Sequence, residues 1–226
     1  MRLRIDLKIF LVILLFYLTM QLEEYFAMFI FILIHEIGHL LAGILLGLKP
    51  ILLEIIPQGL RIEFKINEKY YNKKILKGNK LVLKEILIAL AGPMTNILII
   101  ILILNIGKLN DNIHINILNQ INLVYINLLI ILFNILPIYP LDGGRILKGL
   151  IHIIKGKRKA EKYINNISFI VMILITILFS LIIFYLQNIA ILVIVIFLWG
   201  LFILEDIKYR KRIKIYKLID KTIEKK

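Results

Sequence analysis

Two histidines and a glutamate lie close together in the segment His35-Glu36-Ile37-Gly38-His39. Histidines at positions i and i+4 project from one face of a helix, so their imidazoles can bind adjacent vertices of a tetrahedral metal ion such as Zn²⁺. The glutamate between them is spaced to act as a general base toward a water molecule at that metal. The segment therefore predicts a hydrolytic zinc site with His35 and His39 as ligands and Glu36 as the base.

This segment lies inside an apolar stretch that is long enough to cross a bilayer. From Tyr25 to Leu48 the only charged or imidazole side chains are those of His35, Glu36 and His39. At about 1.5 Å per residue the stretch spans roughly 36 Å, more than the ~30 Å hydrocarbon core. Ionisable groups at bilayer depth cost about 2.5 kcal/mol or more each on insertion scales and usually mark a functional site. A pair of polar residues that merely pack helices is therefore the weaker interpretation.

The whole chain has the composition of an integral membrane protein. Of its 226 residues 60% are hydrophobic, and the mean hydropathy is +0.89. We expect an all-α polytopic membrane protein with about six transmembrane helices. The apolar runs that predict them lie at 7–22, 25–48, 86–106, 116–136, 164–186 and 189–204. Residues 1–204 would form the membrane domain, and residues 205–226 a basic amphipathic C-terminal tail suited to an anionic lipid surface.

The net charge of +14 is distributed by topology. Every lysine and arginine except Lys108 lies on alternate connections, before or at the start of the first predicted span and at 49–84, 145–162 and 208–226. Cytoplasmic loops carry such an excess, so we expect a multi-pass protein of the cell membrane with both termini cytoplasmic. No aromatic residues interleave with the charges as they do in nucleic-acid sites, so we expect no nucleic-acid partner. Cysteine is absent, and any metal must bind histidine and carboxylate ligands.

One connection departs from the helical pattern. The segment 50–66, directly after the second predicted span, predicts two short strands around a Pro57-Gln58-Gly59 turn. Apolar and charged residues alternate along its second half, which indicates a small membrane-associated β-hairpin with one apolar face. Two roles are open for it: a cover at the membrane surface, or an edge strand offered to an extended substrate peptide.

A hydrolytic zinc site takes three protein ligands, so the two histidines leave one to be found. The residue six positions beyond His39 is Leu45, which excludes the three-histidine arrangement of some soluble zinc proteases. Glu54 or Glu63 would have to reach back from the predicted hairpin.

Asp142 is a better candidate for the third ligand. It follows Pro137 and Pro140, which break the fourth predicted span, and it precedes two glycines that permit a tight turn. We expect a broken helix and turn over 137–145, followed by a short helix over 146–154. Broken helices at membrane depth are tolerated where they line a site.

Three motifs in this order resemble the site-2 protease family of intramembrane zinc metalloproteases. They are HEIGH at 35–39, AGPMTN at 91–96 and FNILPIYPLDGGR at 133–145. The resemblance implies Zn²⁺ bound by His35, His39 and Asp142, with Glu36 activating water.

The resemblance also implies supporting or substrate-contacting roles for Asn96, Asn134 and Pro140. Structural roles are the alternatives. Asn96 with Pro93 would then kink and pack the third span, and Asn134 would cap the broken helix.

Within that family the chain looks most like the stage IV sporulation protein FB group, because it has six predicted spans and no inserted PDZ domain. Members of that group release a sigma factor from a membrane-bound precursor, which implies a membrane-associated protein substrate and an inhibitory membrane partner. Long members carry a CBS domain after the last span, whereas 22 residues follow Leu204 here. A site-2 protease that cleaves an anti-sigma factor is the alternative within the family. A non-proteolytic zinc-binding membrane chaperone or transporter is the alternative outside it, although such a site has no need of Glu36.

Overall fold

The computed structural model describes residues 2–7, 10, 13–14, 17, 22–56, 59–65, 76–109, 117–186 and 189–224. In these residues the elements follow in the order β1 (Arg2–Ile5), α1 (Leu22–Leu45), β2 (Lys49–Ile56), β3 (Gly59–Lys65), α2 (Leu76–Leu109), α3 (Ile117–Ile135), α4 (Asp142–Lys155), α5 (Lys157–Leu186) and α6 (Ile189–Glu224). The chain divides into two compact units, Met1–Ile135 and Leu136–Lys226.

Among the described residues, three helices are long and apolar enough to cross a membrane. The apolar stretches are Phe26–Leu45 in α1, Asn79–Asn105 in α2 and Lys157–Tyr185 in α5, and α3 has a shorter one. The prediction of a mainly helical chain is therefore confirmed, and the three candidate spans support its location in a membrane. Most of the predicted first span, 7–22, lies outside the described residues, and the number of six crossings stays a prediction.

In the first unit, α1 and α2 approach each other closely because small residues meet. A Cβ atom on Gly38 would clash with the side chain of Thr95, so only a glycine permits this approach. The Thr95 hydroxyl donates to the Gly92 carbonyl of its own helix at 2.6 Å. Small residues at helix interfaces permit such close approach in membrane proteins. Pro93 lies inside α2 without ending it.

The end of α1 is fixed by residues from two places. Gly47 takes a positive φ of 77°, the left-handed conformation that terminates many helices. Helix α1 has no basic residue in its last turn, and Lys84 of α2 instead donates to the Leu46 carbonyl at 2.5 Å. A cation at this position stabilises the negative end of the helix.

The predicted hairpin is confirmed and belongs to a larger sheet. Strands β2 and β3 pair antiparallel from Lys49↔Lys65 to Ile56↔Gly59, and β1 pairs parallel with β2, giving the order β1-β2-β3. Gly59, predicted in the turn, is the first residue of β3. Residues 57–58 and 66 of the prediction lie outside the described residues. The sheet contacts α1 where the Phe64 ring lies against Gly43.

The second unit begins with the turn before α4. A short helix is expected over 146–154, but α4 begins four residues earlier. Asp142-Gly143-Gly144 form its first turn and not a separate tight turn. A Cβ atom on Gly144 would lie 2.5 Å from the backbone of Ile138 and Tyr139, so glycine lets the helix start against that backbone. The Tyr139 amide also donates to the Ser168 hydroxyl of α5 at 3.0 Å.

The last helix continues through the predicted tail. Helix α6 runs without interruption from Ile189 to Glu224, and its second half packs on the start of α5. Arg158 donates to both carboxylate oxygens of Asp220 at 3.0 Å, and the Tyr216 hydroxyl donates to the buried Glu161 at 3.4 Å. The lipid-surface role of residues 205–226 stays a prediction.

Candidate metal centre

The structure brings His35 and His39 together on one face of α1. Their side chains are almost fully buried, with 1% and 4% exposure. The two rings lie edge to face at a centroid distance of 4.8 Å, and the two Nε2 atoms are 3.2 Å apart. The i, i+4 spacing thus directs the same nitrogen of both imidazoles to one point.

The other nitrogen of each imidazole is held by a hydrogen-bond acceptor on α2. His39 Nδ1 donates to the Ile88 carbonyl at 2.6 Å, and His35 Nδ1 donates to the Asn96 Oδ1 at 2.7 Å. A neutral imidazole has one N–H, so both Nε2 atoms carry lone pairs. Two lone pairs directed to one point form the donor set that a divalent cation requires, and the acceptors behind them fix the ring orientations.

The space at the two Nε2 atoms is kept open by Gly92. A Cβ atom on this residue would clash with the Nε2 atoms of both His35 and His39. Helix α2 therefore presents bare backbone to the imidazole pair, and a group about the size of a methyl would fill the space. The donors and the space both fit Zn²⁺, which takes imidazole nitrogen at about 2.0–2.1 Å.

Glu36 lies on α1 between the two ligands in sequence. It follows His35 by about 100° around the helix axis, and its side chain is half-buried. A half-buried carboxylate adjacent to a metal can accept a proton from water and release it again.

In the second unit, Asp142 is the first residue of α4 and is 5% exposed. Arg145 Nη1 lies 3.7 Å from its carboxylate. The positive end of the helix and this guanidinium both place positive charge beside the carboxylate. These are the properties of a carboxylate metal ligand, and the role of Asp142 as the third ligand stays a prediction.

The other predicted site residues make different contacts. The structure brings Asn96 to His35, as described above. Asn134 donates from Nδ2 to the Ile130 carbonyl at 3.1 Å, a bond within α3. Pro140 lies in the turn before α4 and follows a cis peptide bond. Their substrate-contacting roles stay predictions.

A further histidine, His152, lies on α4. Burial lowers its pKa, and the cations Lys157 and Lys148 lower it further, against a smaller opposite effect of Glu161. His152 is therefore mostly neutral at pH 7.

Sequence reasoning missed Asn127 and the role of Gly92. Asn127 is fully buried in α3 and accepts from the Asn96 amide at 2.9 Å. Its only signal in the sequence is a polar side chain within an apolar helix, which is costly unless it has a partner. Gly92 belongs to the segment 91–96 that resembles the protease family, but spacing alone gives no reason for a glycine there.

Known proteins resemble this chain in sequence and fold. Residues 100–178 match the family model described as Peptidase family M50. A zinc metalloprotease of Methanocaldococcus jannaschii is 30% identical over 145 residues, which are 62% of this chain and 38% of the relative. The chain therefore spans well under half of the length of that relative.

The solved structure of a site-2 protease from Methanocaldococcus jannaschii has the same fold. It superposes with a TM-score of 0.60 over 88% of both chains, at 21% sequence identity. Residues 100–178 are therefore similar to the peptidase family M50, and the chain as a whole has the fold of a site-2 protease.

Proposed function

We propose that the chain is an intramembrane zinc endopeptidase that cleaves a membrane-associated protein within or near the bilayer. One observation carries the proposal. Two imidazoles with Nε2 atoms 3.2 Å apart lie buried in an apolar helix that is long enough to cross a membrane. The similarity to a zinc metalloprotease and to a site-2 protease supports the same activity.

Asp142 is the proposed third ligand beside His35 and His39. A hydrolytic zinc site uses three protein ligands and leaves one position open. Asp142 is buried, lies at a helix N-terminus and falls inside the matched family segment, 100–178. When bound, Zn²⁺ polarises a substrate carbonyl and lowers the pKa of water, which permits hydrolysis at neutral pH.

The proton transfers are assigned to Glu36. Its carboxylate accepts a proton from the attacking water as the new C–O bond forms. The same carboxyl group returns that proton to the amide nitrogen as the C–N bond breaks, so Glu36 ends the cycle in its starting state. A chaperone or transporter would need the ligands but not this base.

The charge distribution supports a substrate on the cytoplasmic side. Residues 49–84 are strongly basic and would attract an acidic or lipid-apposed segment by long-range electrostatics. Among the residues that the structure describes, strand β2 is paired on both sides, so β3 is the hairpin strand with an outer edge, where an extended peptide could add. Together with the resemblance to the stage IV sporulation protein FB group, these features lead us to propose the precursor of a sporulation sigma factor as the substrate, with an anti-sigma factor as the alternative.

The proposal predicts different effects for two conservative substitutions. Glu36→Gln removes the base and no ligand, so cleavage should fall by about 10²–10⁴-fold while bound zinc stays at the wild-type level. Asp142→Asn should lower both zinc content and cleavage. The measurements are metal analysis of the purified proteins and processing of a co-expressed sigma-factor precursor.

Each alternative has its own outcome in this experiment. Cleavage of a pre-trimmed anti-sigma factor, with an intact sigma-factor precursor, would shift the substrate to the other branch of the family. A Glu36→Gln variant that changes zinc transport but no cleavage reaction would exclude a protease. If Asp142→Asn keeps full zinc while Glu63→Gln loses it, the third ligand is wrongly assigned.

A further inference from the structure

The fully buried Asn127 is part of a hydrogen-bonded chain that ends at His35. Its Nδ2 donates to the Leu123 carbonyl at 2.9 Å, and its Oδ1 accepts from Asn96 Nδ2 at 2.9 Å. The Asn96 Oδ1 then accepts from His35 Nδ1 at 2.7 Å. We infer that Asn127 is a positioning residue that fixes the metal-binding tautomer of His35 by orienting the Asn96 amide. This inference rests on the proposed metal site.

The Leu123 carbonyl decides which group donates and which accepts in every hydrogen bond of this series. A backbone carbonyl can only accept, so the NH₂ group of Asn127 must face it and the Asn127 oxygen must face Asn96. Asn96 then has to present its NH₂ group to Asn127 and its oxygen to His35. The imidazole can satisfy that oxygen only with a proton on Nδ1, which leaves the lone pair on Nε2.

Reversing the donors and acceptors in this series would be costly because all three side chains are buried. If the Asn127 amide were turned by 180°, its oxygen would face the Leu123 carbonyl and its NH₂ group would face the NH₂ group of Asn96; if the Asn96 amide were turned, its oxygen would face the Asn127 oxygen. His35, Asn96 and Asn127 are 1%, 0% and 0% exposed, so bulk water does not replace a lost partner. An unsatisfied buried polar group costs about 1–3 kcal/mol, which is enough to hold one orientation.

The orientation of the second proposed ligand, His39, does not depend on this series of hydrogen bonds. His39 Nδ1 donates to the Ile88 carbonyl, a backbone acceptor whose direction no side chain can change. Loss of Asn127 should therefore affect His35 and leave the tautomer of His39 as it is. This asymmetry separates a positioning role from a general effect on packing.

The test compares Asn127→Leu with a matched control in the full-length protein. Gln120 also lies on α3 and donates to a carbonyl of α2, that of Ile103, at 2.7 Å, but it has no bond to the histidine pair. Gln120→Leu therefore removes a similar interhelical bond without touching Asn96. Asn127→Asp is the conservative variant, since its carboxyl group can still accept from Asn96.

Two measurements that do not depend on proteolysis test the effect of these substitutions. Zinc affinity is measured by competition with a chelator, and the tautomer of each histidine by ¹⁵N NMR with and without zinc. We expect Asn127→Leu to weaken zinc binding by about ten- to a hundredfold, as for other residues that orient metal ligands. The His35 signal should lose its preference for the Nδ1–H form, His39 should keep it, and Asn127→Asp should restore affinity toward wild type.

An unchanged His35 tautomer in Asn127→Leu, or equal losses in Gln120→Leu, would overturn the inference. If Asn127→Leu does not fold, Asn127→Ala also removes the acceptor and decides the same question. If the tautomer and affinity follow the expectation but no peptide is cleaved, the positioning role stands and the proposed protease function fails.

Discussion

Gly92 permits a direct test of the metal centre, because a single methyl group there should exclude the metal. In Gly92→Ala the new Cβ would lie about 1 Å inside the ~3.5 Å contact distance from the Nε2 atoms of His35 and His39. Both rings are tethered through Nδ1 to the same helix that carries the methyl, at Asn96 and Ile88. The rings can therefore escape only by breaking the bonds that orient them.

The size of the effect follows from this conflict. Forcing an extra methyl into a well-packed interior costs typically about 1–3 kcal/mol. The metal-free protein can relieve this strain by rotating one imidazole away from the new methyl group. To bind zinc, the protein must bring both Nε2 atoms back toward that methyl group. The strain then opposes zinc binding, and at 1.4 kcal/mol per factor of ten the affinity should fall by about five- to one-hundred-and-fifty-fold.

The assay is zinc competition on the purified full-length proteins, with Gly200→Ala as the control. Gly200 is also a helical glycine, but a Cβ atom there meets nothing within 4 Å. The control should bind zinc as wild type does, and its melting temperature should not fall, because alanine favours a helix over glycine. Wild-type zinc affinity in Gly92→Ala would refute the assignment of the space between the imidazoles as the metal position.

Two further predictions concern the second unit and the topology. Gly144→Ala should lower the unfolding free energy by about 1–3 kcal/mol in thermal or denaturant unfolding, because its Cβ meets the rigid backbone of Ile138 and Tyr139 and not a movable side chain; a neutral result would contradict the close approach. Single cysteines at Asn72, Lys157 and Lys221 should react with an impermeant thiol reagent only in opened cells, whereas a cysteine at Asn112 should react in intact cells; reversed labelling of any one would break the six-span topology.

Features set by local spacing could be predicted from the sequence. The His35–His39 pair depends only on helical periodicity, and the apolar runs that form α1, α2 and α5 need no partner to be identified. The hairpin was predictable because alternation along 60–66 has the period of a strand.

Features set by distant contacts could not be predicted. Strand β1 has only four residues, and it exists because it pairs with β2. Helix α4 begins at Asp142, although two glycines usually disfavour a helix, because Gly144 fits against the backbone of Ile138. The role of Asn127 depends on its contact with α2, which the sequence does not give.

The parallel pairing of β1 with β2 has a topological consequence. Arg2 pairs with Leu52 and Ile5 with Ile55, so both strands occupy one sheet. Parallel neighbours need a crossover connection, and here that connection contains α1, a helix able to cross the membrane. A chain that leaves a sheet and returns to it crosses the bilayer an even number of times, so if α1 crosses the bilayer, the connection from β1 to β2 contains a second crossing. The predicted span at 7–22 would provide it, and β1 can then join the sheet only after both helices have been inserted.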